Sequence, residues 1–282
     1  MQNKFRLLMA VFILISMGAV QAAPAQVGWK CDFPLAITKT VSAANKHIAK
    51  SVPPPKTAGR DALAAEIKIS FPEFSSSAGG NAAVDAMNKA IQSRLFGVLA
   101  DNNVTSVEQF LKTFIEDYEQ ALQGDAENIG AWSIMFEATI QYSDENLLSL
   151  RILDSLFVGG AHPMSNVTYL VFSLKTGELI NLSAFVPEEK IGALSKVAEK
   201  HFRKIHSLKP DETYEQAGFL FPQNRFSLNR NFLVAKSGLS FCFNQYEIAP
   251  YAMGITELVI PWAGIKSAVN PKGPAGNFLN KH

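Results

Sequence analysis

Two short runs hold most of the candidate chemistry. The first is Gly159-Gly160-Ala161-His162-Pro163. Paired glycines permit positive φ or the close approach of another chain, and a residue before proline is held extended. The run reads as a binding loop offering His162 as a polar contact, or as a tight connection that needs glycine for geometry alone. The second is Phe243-Asn244-Gln245-Tyr246-Glu247-Ile248-Ala249-Pro250-Tyr251-Ala252-Met253-Gly254. Here Tyr246 and Tyr251 offer apolar rings with hydroxyl tips to a sugar or a protein partner, and Glu247 offers an acceptor. The plainer alternative is a structural turn whose tyrosines cap a sheet. His162 and Glu247 would also supply an acid and a base if the fold brought them within hydrogen-bond reach, which leaves acid–base catalysis as an alternative reading.

No catalytic constellation is complete. His201 and His206 are five residues apart, whereas a zinc pair on one helical face is spaced by four. The chain has no His-Glu-x-x-His, no Gly-x-Ser-x-Gly elbow, no phosphate-cradling glycine loop and no paired-cysteine motif. The sequence therefore names no catalytic residue and no metal ligand, and it calls for no cofactor. Its two cysteines, Cys31 and Cys242, are candidates for one disulfide in an oxidising compartment, closing a very long loop; two buried thiols are the alternative.

That compartment is suggested by the first residues. Lys4 and Arg6 precede an apolar run from Leu7 to Val20, and small residues follow at Ala22 and Ala23. The order is that of a signal peptide over residues 1–22, with an apolar stretch shorter than the roughly 20 residues of a membrane-spanning helix. Removing it takes away two of the 26 basic residues and none of the 25 acidic ones, so the net charge falls to about −1. A near-neutral chain without basic clusters gives nucleic acid and anionic membrane surfaces little to hold. No further apolar stretch is long enough to span a membrane, and 48% hydrophobic residues with 20 Phe can build a substantial core. A periplasmic or secreted protein is expected.

The elements that must position the two runs follow from hydrophobic period. Residues 65–71 alternate as a strand; Val84, Met87, Ile91 and Leu95 recur at helical spacing; Ser106 with Gln109 makes a capping-box pattern ahead of Phe110, Phe114, Tyr118 and Leu122. Trp132 to Tyr142 is the clearest strand. A polar turn at Ser143 to Asn146 joins it to Leu148, Leu150 and Ile152, and Thr168 to Leu174 is a further strand. Pro187 opens a helix carrying Leu194, Val197, Ala198, Phe202 and Ile205, and strands follow at 231–235, 239–244 and 257–260. This predicts an α+β fold: an antiparallel sheet meander with amphipathic helices packed on one face, in two intimately packed subdomains. Residues 23–60 read as an N-terminal segment ending in a proline-rich spacer, 61–158 as a strand-helix-helix-strand subdomain, 159–268 as a C-terminal subdomain and 269–282 as a flexible tail.

The phrases Trp132 to Tyr142, Gly159 to Pro163, Thr176-Gly177-Glu178 and above all Tyr246 to Gly254 resemble the RsiV-like extracytoplasmic domain over roughly residues 60–268. That domain is shared by the anti-sigma-V factor, where it is a receptor for lysozyme, and by the non-catalytic part of PdaC-type peptidoglycan deacetylases. The resemblance implies a cell-envelope binding module whose partner is a lysozyme-like protein or peptidoglycan, with Gly159, Gly160, His162, Tyr246, Glu247 and Tyr251 as candidate binding residues. Only six residues precede the apolar leader, which is not expected to bring a cytoplasmic anti-sigma region. The aspartate and paired-histidine metal motif of a polysaccharide deacetylase is also missing. An envelope hydrolase or deacetylase with an unrecognised site around His162 and Glu247, and a structural envelope protein without a ligand, are the alternatives.

Overall fold

The computed structural model describes residues 37–56, 62–77, 79–99, 104–124 and 131–279, all within one compact unit, Phe33–His282. Residues 1–22, read as a signal peptide, and Cys31 lie outside the described residues.

Strand β1 (Val41–Val52) pairs antiparallel with β2 (Ala65–Ser76) along its whole length. After β2 the chain crosses through α1 (Ala82–Phe96) and α2 (Val107–Gly124) before entering β3 (Ser133–Ser143). Asn81 Oδ1 caps α1 by accepting from the amides of Ala83 and Val84. Ser106 caps α2 by accepting from the Gln109 amide, while the Gln109 side chain accepts from the Thr105 amide. This is the expected reciprocal cap with its return bond moved back by one residue. Met87, Ile91, Leu95, Phe110, Phe114 and Tyr118 are all buried against one face of the sheet.

The two-helix crossover carries the chain back to its starting side, so β3 runs parallel to β2. The five-stranded sheet, in order β1-β2-β3-β4-β5, is therefore mixed rather than purely antiparallel; β4 (Leu147–Phe157) and β5 (Met164–Ser173) complete it as the expected meander. A short helix α3 (Leu182–Phe185) and the amphipathic α4 (Ile191–Ile205) lead to a three-stranded antiparallel sheet of β6 (Phe232–Ala235), β7 (Gly238–Phe243) and β8 (Thr256–Pro261).

Side-chain alternation assigns the layers. On β4, Leu148, Leu150 and Ile152 face α1 and α2, whereas Leu147 and Leu153 join clusters on the other side. On β7, Leu239, Phe241 and Phe243 pack with Leu194, Ala198 and Phe202 of α4. Its intervening Cys242 meets Leu233 of β6 and Val167 and Tyr169 of β5 in a thin seam between the sheets.

Three expected boundaries differ from this architecture. The stretch read as a spacer before residue 61 contains β1, an edge strand whose mostly exposed side chains show no alternation; the proline run begins just after it. The expected boundary between 158 and 159 falls inside the β4–β5 hairpin. The stretch read as a tail from 269 holds α5's neighbours in place: α5 (Trp262–Ile265) is followed by buried Val269 and Ala275 and by α6 (Gly276–Leu279). Phe278 stacks on Trp262 with ring centroids 4.7 Å apart, so an aromatic anchor overrides the Pro/Gly-rich composition.

Candidate functional site

The two runs singled out in the sequence come together. Gly159 (φ 97°) and Gly160 (φ 98°) lie in the turn between β4 and β5. A side chain at either would meet no neighbouring atom, so glycine serves backbone conformation there and not close packing. The turn delivers His162 to the face of Tyr251, whose ring lies 3.6 Å away and nearly parallel. Tyr251 donates its hydroxyl to the Pro163 carbonyl at 3.1 Å, and His162 Nδ1 is 3.1 Å from the same oxygen. Because a carbonyl only accepts, Nδ1 is the donor in this contact, and Nε2 lies 3.3 Å from the Tyr246 hydroxyl.

Tyr246 is held at φ 64°, in the left-handed region, and remains 54% exposed. A bulky side chain in that region costs on the order of 1–3 kcal/mol. The turn is maintained by Glu247, whose Oε2 accepts from the Asn244 amide at 2.9 Å and whose Oε1 accepts from Asn229 Nδ2 at 2.7 Å. Glu247 thus shapes the loop that presents Tyr246. Its carboxylate and the His162 ring sit in separate hydrogen-bond sets. Cys242 is fully buried in the intersheet seam, where burial pushes its thiol pKa up; its expected partner Cys31 is not among the described residues.

Three features were not visible in the sequence. A groove of about 330 Å³ runs over the sheet face opposite α1 and α2, bounded by Pro163. Across the intersheet seam, Arg151 donates from Nη2 to Glu257 Oε1 at 2.7 Å, and the Tyr169 hydroxyl donates to Glu257 Oε2 at 2.7 Å. Burial, then the Glu257 charge, pushes the Tyr169 hydroxyl pKa up, so it remains a donor. On the helix-covered side, buried Asp154 accepts from Asn166 Nδ2 at 3.2 Å, while its Oδ1 has no hydrogen bond: Arg94 Nη2 stands 3.9 Å away. All three depend on strand register, which composition does not reveal. Among the described residues no group of three His, Cys, Asp or Glu is placed to hold a metal ion, and no helix is long and apolar enough to cross a membrane.

Residues 60–165 match the Deacetylase PdaC family, and residues 184–263 match the protein of unknown function family DUF3298. The chain is thus similar to a PdaC domain in its first part and to DUF3298 in its second. The first spans β2 to the start of β5, and the DUF3298 part spans the end of α3 to α5, so the two signature loops come one from each. A DUF3298 family member from Bacteroides fragilis shares the fold with a TM-score of 0.69 at 21% identity, over 86% of this chain and 98% of that one. A DUF3298 family protein from Pseudomonas aeruginosa matches with a TM-score of 0.59 at 18% identity, over 81% and 95% of the two chains. No curated protein sequence is significantly similar. The PdaC and DUF3298 domains fit an extracytoplasmic, envelope-related module.

Proposed function

We propose that the protein is a secreted or periplasmic binding module of the bacterial envelope that recognises a lysozyme-like protein through the paired loops around His162, Tyr246 and Tyr251. The observation that carries this reading is Tyr246: a bulky residue kept in a left-handed conformation with its ring half in solvent, braced by His162 and by the carboxylate of Glu247. Backbone strain held in place by neighbouring bonds, at an exposed aromatic, is the pattern of a recognition residue rather than of a packing residue. Val158 and Met164 of the β4–β5 hairpin and Met253 of the second loop are exposed as well, and tyrosine and methionine are enriched in protein interfaces. A second reading, binding of cell-wall glycan, is favoured by the adjoining groove on the sheet face.

The test is calorimetry of the protein from residue 23 against several lysozymes, together with sedimentation alongside insoluble peptidoglycan. Saturable binding to a lysozyme is expected, weakened by roughly 30-fold or more when Tyr246 and Tyr251 are both replaced by alanine, as for truncation of anchor residues worth about 2 kcal/mol or more. Unchanged binding in that variant, with the fold intact by circular dichroism, would remove the paired loops from the site. Binding to peptidoglycan alone would transfer the role to the second reading.

A further inference from the structure

The groove has an ordered floor. Register places Glu66 beside Ser133 and Ser133 beside Phe157; one rung further, Lys68 lies beside Met135 and Met135 beside Ser155. Each row crosses three strands about 4.8 Å apart, and the rows are separated by two residues along a strand, about 7 Å. One edge of the groove therefore carries an acidic and a basic residue whose backbone positions are about 7 Å apart. Glu66 is oriented by the Ser51 hydroxyl, which donates to Oε1 at 2.6 Å. Lys68 is exposed and forms none of the ion pairs among the described residues. Beside these charges the floor alternates hydroxyl and apolar groups: Ser133 and Phe157 in one row, Met135 and Ser155 in the other.

We infer that this groove binds a short extended peptide with a free amino group and a free carboxylate, the amine at Glu66 and the carboxylate at Lys68. The first and last α-carbons of an extended tripeptide are about 7 Å apart, which matches the backbone spacing of Glu66 and Lys68, and small apolar side chains on it would face Met135 on the neighbouring strand. A polymer of uniform charge does not match, since each charge it offers meets one partner and one repulsion. The groove shares only Pro163 with the paired loops, so the inference stands apart from the proposed protein partner.

Titration of the protein from residue 23 with Ala-Ala-Ala, free at both ends, and with its N-acetylated, C-amidated form tests the assignment by calorimetry or chemical-shift mapping. The free peptide is expected to bind at least tenfold more tightly than the capped one. Lys68→Gln should abolish the advantage of the free carboxylate and Glu66→Gln that of the free amine, while both variants still bind the lysozyme recognised by the loops. The exchange Glu66→Lys with Lys68→Glu should restore the preference for free termini, with the peptide reversed. Equal affinity for free and capped peptide, or no binding of the free peptide at millimolar concentration, would overturn the inference and leave the reading of the loops untouched.

Discussion

Asp154 lies on β4 among apolar neighbours, and only one of its carboxylate oxygens has a hydrogen-bond donor. Burial raises its pKa above the ordinary carboxylate range, against the smaller lowering effects of Asn166 and Arg94. The sign of the linkage follows: a carboxyl whose folded pKa is raised stabilises the fold below the unfolded value near 3.9, and that contribution is lost as pH rises through the folded pKa. Asp154→Asn should therefore match the parent in urea unfolding near pH 4 and exceed it near pH 7, by roughly 1 kcal/mol. A parent more stable than the variant at pH 7 would show that the Arg94 ion pair outweighs desolvation. Residues such as this one could not be found from composition, because an aspartate in a strand announces neither its face nor its depth. His162, Tyr246 and Tyr251 were legible for the opposite reason: glycine, proline and tyrosine clustered in a loop make local demands on the backbone that can be read without knowing the neighbours.

At the scale of elements, the outer edge of β5 is completed by side chains instead of a sixth strand. Asn231 accepts from the Tyr169 amide at 2.8 Å and donates to the Val167 carbonyl at 2.8 Å; Asn244 accepts from the Val167 amide at 2.7 Å and donates to the same carbonyl at 3.0 Å. The two carboxamides take the places of peptide groups, close the edge against stray pairing and tie the second sheet to the first. Asn231→Ala leaves the Tyr169 amide without its partner near the buried seam and should destabilise the protein by about 1–3 kcal/mol, read as a lower urea midpoint at unchanged m-value. An unaltered midpoint would mean that water replaces the side chain. Period and capping signals made α1, α2, α4, β2 and β3 to β8 legible, since each has a buried face or a local start signal. β1 was missed because an edge strand with few buried residues, only Val41, Ala43 and Val52, carries no alternation to detect. The parallel pairing of β2 and β3 was missed because strand direction is set by the crossover, not by either strand's own residues.

At the scale of the molecule, α1 and α2, the large sheet, the small sheet and α4 succeed one another around three apolar clusters. The candidate residues sit where the turn of one sheet meets a turn of the other, so the paired loops exist only when both sheets are in place. The α+β class was legible because helical and alternating periods occur in separate blocks; the limits of the folded body were not, since β1 shows no alternation at one end and proline and glycine hide α6 at the other. The stacking of Phe278 on Trp262 has a practical corollary for recombinant work. A chain trimmed to residue 263, where the DUF3298 similarity stops, would strip the cover from Trp262 and expose a broad aromatic surface, forfeiting roughly 1.5–3 kcal/mol for each large side chain left bare. Such a chain should express as aggregate or elute as oligomers on size exclusion, whereas one extended through residue 279 should elute as a single sharp species; equal behaviour of the two would show that the aromatic clasp is dispensable.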